Sequence, residues 1–126
     1  DEQAVLRQEE ESLGMLVSRH PLTLYRAAFE RHRPVPAAEL LQWAGRYVTV
    51  AGWWVTGKPV QDKNGRPMEF VSFEDTSAIF DATFFPAAYA RFCRLLSRQR
   101  PYLLKGRVEV EWGVPALTVE WVGFLD

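Results

Sequence analysis

The chain has 126 residues, of which 48% are hydrophobic and 13% aromatic, and its formal net charge is −1. That length and apolar content suit one domain with its own core, and the near-zero charge excludes a strongly basic nucleic-acid binder. No apolar run approaches the ~20 residues of a membrane-spanning helix. The acidic start DEQAVLRQEEES is the opposite of a secretory or mitochondrial leader, so a cytoplasmic chain without a membrane partner is expected. The single cysteine, Cys93, excludes an internal disulfide and a cysteine-based zinc cluster and suits a reducing compartment. Charge is unevenly distributed: residues 1–12 set Asp1, Glu2, Glu9, Glu10 and Glu11 against Arg7, whereas residues 46–126 hold ten Lys plus Arg and nine acids. Polyanion binding by that near-neutral second part would rest on local clusters of cations.

In chain order, Leu6, Leu13, Leu16 and Val17 among Gln and Glu predict a helix over residues 3–17, which SRHP interrupts before Pro21. A short helix is expected from Thr23 to about Arg31. Pro34 and Pro36 break it, and AAELLQWA gives one or two further turns before Gly45. From Tyr47 the period changes to that of strands. YVTVAGWWVTG alternates up to Gly52, where a bulge or sharp bend is expected, and runs on to a hairpin at Asn64-Gly65, two residues that tolerate the positive φ of a tight turn. MEFVSFED and AIFDATFF are the next two strands, parted by a turn at Thr76-Ser77. Pro86 opens a helix whose Tyr89, Phe92, Cys93 and Leu96 form one apolar stripe, and YLLKGRVEVEW and PALTVEWVGFL close the chain around a tight turn at Gly113.

The resulting order, β-β-β-α-β-β behind a helical lead-in, is that of an OB-fold: a mainly β member of the α+β class, with a lead-in over residues 1–45 and a five-stranded Greek-key barrel over 46–126. Several segments resemble the bacterial replicative DNA polymerase III alpha subunits. ESLGMLVSRHPLTLYR (11–26) is similar to the S-G-H-P-L segment that precedes the OB domain of that family. VAGWWVTGKPVQDKNGRPMEFVSFED (50–75), FFPAAYARFCRLL (84–96) and PYLLKGRV (101–108) resemble the OB domain itself. The likeness runs in order from about Leu6 to Leu125. Arg19 and Ala78 depart from it, each standing where the family usually has glycine, and both departures bear on the local turns. The resemblance implies a fragment or stand-alone relative of a polymerase, without its palm, exonuclease-like domain or fingers.

The residues themselves give little chemistry. Glu74 and Asp75 are neighbours on a strand end and point to opposite faces, while Asp81 belongs to the next strand, so no pair of metal ions is expected to be held. Cys93 reads as a small core hydrophobe, His20 as a turn residue and His32 as a solvated loop residue between arginines. Neither a catalytic residue nor a cofactor is expected. Binding is better served, since single-strand binders combine a basic groove with aromatic faces on which bases stack. Lys58, Lys63 and Arg66 surround the first hairpin, Phe70 lies on the second strand, and Arg107 and Trp112 lie on and beyond the fourth.

Strand phase places Val71 and Phe73 inward with Met68, Phe70 and Ser72 outward. It also places Phe80, Ala82 and Phe84 inward with Ile79, Asp81 and Thr83 outward. Trp53 and Trp54 take opposite faces, so one is expected in the core and the other exposed. The expected partners are single-stranded DNA, as template strand, and other domains or subunits of a replicative polymerase, with a monomer in isolation. A solvated hairpin tip and a protein-docking module are the alternatives. An OB domain presenting tRNA to a synthetase is disfavoured by the polymerase-like lead-in.

Overall fold

A computed structural model describes residues 26–96 and 101–125. The helix expected over 3–17 lies outside the described residues. Helix α1, Arg26–His32, carries Arg31 and His32 in its last turn, where cations complement the helix dipole. His32 is therefore the exposed end of a helix and not a loop residue. Arg33 follows at φ 49°, and its N–H donates to the Phe29 carbonyl at 2.7 Å, a left-handed cap that turns the chain away. A 3-10 helix, Ala37–Trp43, fills the space between Pro36 and Gly45.

Five strands follow: β1 (Tyr47–Gln61), β2 (Pro67–Glu74), β3 (Ile79–Phe84), β4 (Pro101–Glu111) and β5 (Val114–Phe124), with helix α2 (Pro86–Phe92) after β3. Pro86 opens α2 as expected. The strands close into a barrel in the order β1-β2-β3-β5-β4, with β4 returning to β1. Every pairing is antiparallel except β3 with β5, which run parallel through Asp81↔Ala116, Ala82↔Leu117 and Thr83↔Thr118. This is the five-stranded OB-fold barrel that the element order predicts.

β1 serves two neighbours: its first part pairs with β4 as far as Trp53, and its second part pairs with β2 from Trp53 onward. The irregularity expected at Gly52 falls downstream, between Trp54 and Thr56. Gly52 has a different reason to be glycine. A Cβ there would stand 2.7 Å from the Phe73 Cβ and 3.1 Å from the Phe80 ring, and those two rings stack at 5.7 Å in the barrel interior. Gly106, beside the second irregularity in the barrel, is as constrained, because a Cβ there would overlap the Thr118 carbonyl of the adjoining strand.

The core sits inside the barrel, where Val50, Val71, Phe73, Ala82, Phe84, Leu104 and Leu117 meet Leu40 of the 3-10 helix. Tyr102 is fully buried there. Its ring meets Phe73 edge-on at 5.8 Å, and its hydroxyl donates to the Leu95 carbonyl at 2.8 Å, so the polar tip of a core aromatic is satisfied. A smaller apolar cluster joins Ala28 of α1 to Ala51, Leu103 and Leu125 on the outside of the barrel. The paired tryptophans divide between the two clusters: Trp54 packs on the barrel core and Trp53 on the outer cluster, so both are half-buried and neither is the exposed one expected. The inward sets of β2 and β3 are as read from the sequence. Met68 corrects the outward set, since it is buried opposite Val60 although it shares its phase with exposed Phe70.

The turn after β2 is organised by Asp75, which is buried. Its Oδ1 accepts the N–H groups of Ser77 and Ala78, at 2.7 and 3.0 Å, and the Ser77 hydroxyl at 2.7 Å. Its Oδ2 accepts the Ala37 N–H at 2.7 Å, at the start of the 3-10 helix. Ser77 Oγ in turn accepts the Ala38 N–H at 3.0 Å. One carboxylate thus builds the turn that has Ala78 in place of glycine and fastens the segment before the barrel to it. Asp75→Ala is expected to leave three backbone N–H groups without this acceptor and to lower unfolding stability by about 3 kcal/mol. Urea denaturation of the parent and the variant measures it.

Candidate nucleic-acid interface

The outer face of β1, β2, β3 and β5 forms an open groove of ≈ 790 Å³, walled at one end by the β4–β5 hairpin. Strand register sets its floor, because outward side chains at paired positions line up across the sheet. One row runs Lys58, Phe70, Thr83, Thr118, Arg107, and the next runs Thr56, Ser72, Asp81, Ala116, Glu109. Each row takes four interstrand steps of about 4.8 Å, so Lys58 and Arg107 end the first row roughly 19 Å apart along the curved sheet. Phe70, beside Lys58, is 48% exposed.

Two further aromatic side chains line the same groove. Phe85, also 48% exposed, follows β3 and caps α2. Strand phase points to it, since Phe84 is inward and its successor must face out, but the run FFP reads most simply as core. Trp112 is 95% exposed at the tip of the β4–β5 hairpin. The pairing Glu111↔Val114 leaves a two-residue loop, and Trp112 and Gly113 have φ of 56° and 79°. Such turns favour Asn or Gly at the first loop position. A tryptophan there costs roughly 1 to 2 kcal/mol of backbone energy and buries almost nothing in return.

The three cations of the first hairpin separate. Lys58 lines the groove opposite Phe70, while Lys63 and Arg66 stand exposed at the hairpin tip, outside the groove lining. Their loop runs from Asp62 to Arg66 between Gln61 and Pro67 and turns at Asn64-Gly65 as expected, although only Gly65 takes positive φ, at 81°. Asp62 builds it. Its Oδ1 accepts the N–H groups of Arg66 and Asn64, at 2.8 and 2.9 Å, and its Oδ2 meets Arg66 Nε at 3.0 Å. Arg107, at the far end of the first row, lies outside the groove lining and meets the Glu109 carboxylate at 3.6 Å. Of the six residues singled out in the sequence, the groove therefore gathers Lys58, Phe70 and Trp112 and adds Phe85.

The groove is less basic than expected. Asp81, Glu109 and Glu111 line it against Lys58. Asp81 is held in place by the Ser72 hydroxyl, which donates to Oδ1 at 2.9 Å. Cys93 is half-buried just past the end of α2, where burial, then the nearby Glu69 carboxylate and Cys93 itself, push the Tyr89 phenol above its usual range. Among the described residues, no group of three or more His, Cys, Asp or Glu side chains could hold a metal ion, and no helix is long and apolar enough to cross a membrane.

Fold and groove together define an OB-fold domain, and the comparisons with known proteins agree. No family model matches the chain. It is 32% identical over 113 residues to the DNA polymerase III subunit alpha of Saccharopolyspora erythraea, covering 86% of this chain and 10% of that protein. It is 31% identical over 121 residues to the error-prone DNA polymerase of Symbiobacterium thermophilum, covering 94% and 11%. Against the DNA polymerase III subunit alpha of Escherichia coli it is 27% identical over 114 residues, 87% of this chain and 10% of the relative. The chain thus spans about a tenth of the length of the curated relatives it matches. Among solved structures, asparaginyl-tRNA synthetase from Pyrococcus horikoshii has a TM-score of 0.58 at 20% identity, over 73% of this chain and 22% of that one. The protein ygiW from Escherichia coli has 0.55 at 14%, over 72% and 88%. These structural likenesses show the fold. The chain is an OB-fold domain related in sequence, at modest identity, to DNA polymerase III alpha subunits.

Asp62 gives this hairpin a pH dependence. Chiefly the Arg66 N–H, then the Asn64 N–H and the Arg66 guanidinium, hold its carboxyl below the usual carboxylate range. A lowered native value means that its contribution is present above the unfolded value of about 3.9 and is lost as pH falls through the native one. The amides of Asn64 and Arg66 are expected to lose hydrogen-exchange protection on acidification below about pH 4, and Asp62→Ala is expected to abolish that dependence.

Proposed function

We propose that this chain is a non-catalytic binder of single-stranded DNA, serving as the OB domain of a DNA polymerase III alpha subunit or of a close relative and receiving the template strand. The observation that carries the reading is the set of exposed aromatic faces, Phe70, Phe85 and Trp112, in one open groove beside Lys58. The groove lies on the side of an OB barrel, between its two hairpin loops, that other members use for oligonucleotides. Bases stack on such faces for ~1 to 3 kcal/mol each, whatever their identity. Trp112 supports the reading further, because the fold gains nothing from a solvent-exposed tryptophan in left-handed backbone. The sequence likeness to alpha subunits supplies the polymerase setting and makes the other domains of such a polymerase the natural neighbours of α1 and the barrel.

A second reading is docking of a protein segment, favoured by the three groove carboxylates. A basic, apolar segment complements Asp81, Glu109 and Glu111 better than a phosphate does. In the nucleic-acid reading the same carboxylates keep phosphates at the groove edges and limit affinity to about micromolar or weaker at physiological salt.

Fluorescence anisotropy with matched single- and double-stranded oligonucleotides separates the two. Single strands are expected to bind more tightly, and equal or tighter binding of duplex would overturn the proposal. Phe70→Ala is expected to reduce affinity by ~1 to 3 kcal/mol without changing its salt dependence. Lys58→Gln is expected to lower the slope of log affinity against log salt by about 0.7, the contribution of one single-strand phosphate. Replacing Lys63 and Arg66 with Gln tests whether the hairpin tip adds further contacts or is only solvated. Trp112→Asn is expected to raise stability by about 1 kcal/mol, since asparagine tolerates this backbone, while weakening binding. A purely structural role for Trp112 predicts no loss of binding.

A further inference from the structure

The second row of the groove has a chemistry that sequence-tolerant stacking does not need. Ser72, Asp81 and Glu109 sit side by side on β2, β3 and β4 with only Ala116 between the two acids, and Thr56 opens the row on β1. The Ser72 hydroxyl spends its only proton on Asp81 Oδ1 at 2.9 Å, so neither partner has a donor left for a ligand. The centre of this row therefore offers acceptors alone. It lies two residues along each strand from the row that holds Phe70, a separation of about 6.8 Å. A base stacked on Phe70 spans that distance with its ring and brings its polar edge over Ser72 and Asp81.

We infer that this acceptor row makes the groove select bases by their donor edges, with guanine preferred and thymine disfavoured. This rests on the single-strand reading above. Guanine presents N1–H and N2–H₂ side by side, two parallel donors that match the two oxygens of one carboxylate. Cytosine and adenine each present a single amino group next to a ring acceptor. Thymine presents one N3–H flanked by two carbonyl oxygens, which meet the carboxylate with like partial charge. Asp81 is positioned by Ser72 and is the residue that reads the edge, while Glu109 extends the row toward the β4–β5 hairpin, where Trp112 supplies a further face. Lys58, at the near end of the neighbouring row, is left for a phosphate, while Arg107 at its far end meets Glu109.

The test is anisotropy at fixed salt with a short labelled oligothymidylate and with the same oligomer carrying guanine at its central positions. The guanine oligomer is expected to bind the parent about tenfold more tightly, the low end of what a two-point edge contact discriminates. Asp81→Asn, which exchanges one acceptor oxygen for a donor amide, is expected to bring the ratio of the two affinities close to one. Ser72→Ala, which frees the carboxylate to rotate, is expected to give an intermediate ratio. Matching melting curves for both variants exclude misfolding. Equal affinity of the parent for the two oligomers overturns the inference and leaves single-strand binding standing, as does a guanine preference that survives in Asp81→Asn. Failure of both oligomers to bind overturns the single-strand reading and the inference together.

Discussion

Everything in this domain follows from closing five strands around an interior only wide enough for their own side chains. In so small a barrel each strand bends and twists sharply, and the inward positions must be filled without voids. Phe73, Phe80 and Tyr102 provide the volume, and Gly52 leaves the gap that the Phe73 Cβ and the Phe80 ring occupy. Gly106 lets β4 and β5 approach where a side chain would strike the Thr118 carbonyl. Irregular pairing in β1 and again in β4 absorbs the rest of the curvature. The parallel contact of β3 with β5 then seals the barrel through three residue pairs.

Closure also determines what the outside can do. Once Val71, Phe73, Ala82 and Phe84 are committed inward, their neighbours Phe70, Ser72, Asp81 and Thr83 have no choice but to face out, and register assembles them into rows across the sheet. The rows differ in kind. One is aromatic and hydroxylic with a cation at each end, and the other carries Asp81 and Glu109 on either side of Ala116. Under these charges the groove floor attracts phosphate weakly, so in the proposed function a strand would be held there by its bases, with Lys58 at the margin.

Two aspartates shape the connections by the same device. A carboxylate on a short side chain folds back onto the N–H groups of the residues that follow, which fixes a turn without glycine at every position. Asp62 does this in the first hairpin and in doing so engages Arg66. Asp75 does it after β2 and extends its reach to Ala37, so that the 3-10 helix and the barrel share one hydrogen-bond network. Leu40 is fully buried in the barrel core beneath that link.

From Tyr47 onward the order and kind of the elements are legible in the sequence, because these depend on local periodicity: the strand alternation, Pro86 at a helix start, the Gly113 turn and the inward sets of β2 and β3. It also carried the likeness to polymerase alpha subunits. What it did not carry depends on partners distant in the chain. The phase of β2 alone places Met68 outward, and its burial is a matter of what lies over it. The fates of Trp53 and Trp54 needed the positions of α1 and of the barrel core. In sequence Asp75 is a strand-end acid, since nothing local reveals that Ala37 will supply a donor to it from across the fold. The cations near Asn64-Gly65 are adjacent in sequence, but Arg66 is held by Asp62 and only Lys58 faces the groove. Phe70, Phe85, Asp81 and Trp112 come together because barrel closure sets strand against strand, and register between strands is a tertiary property that no single segment encodes.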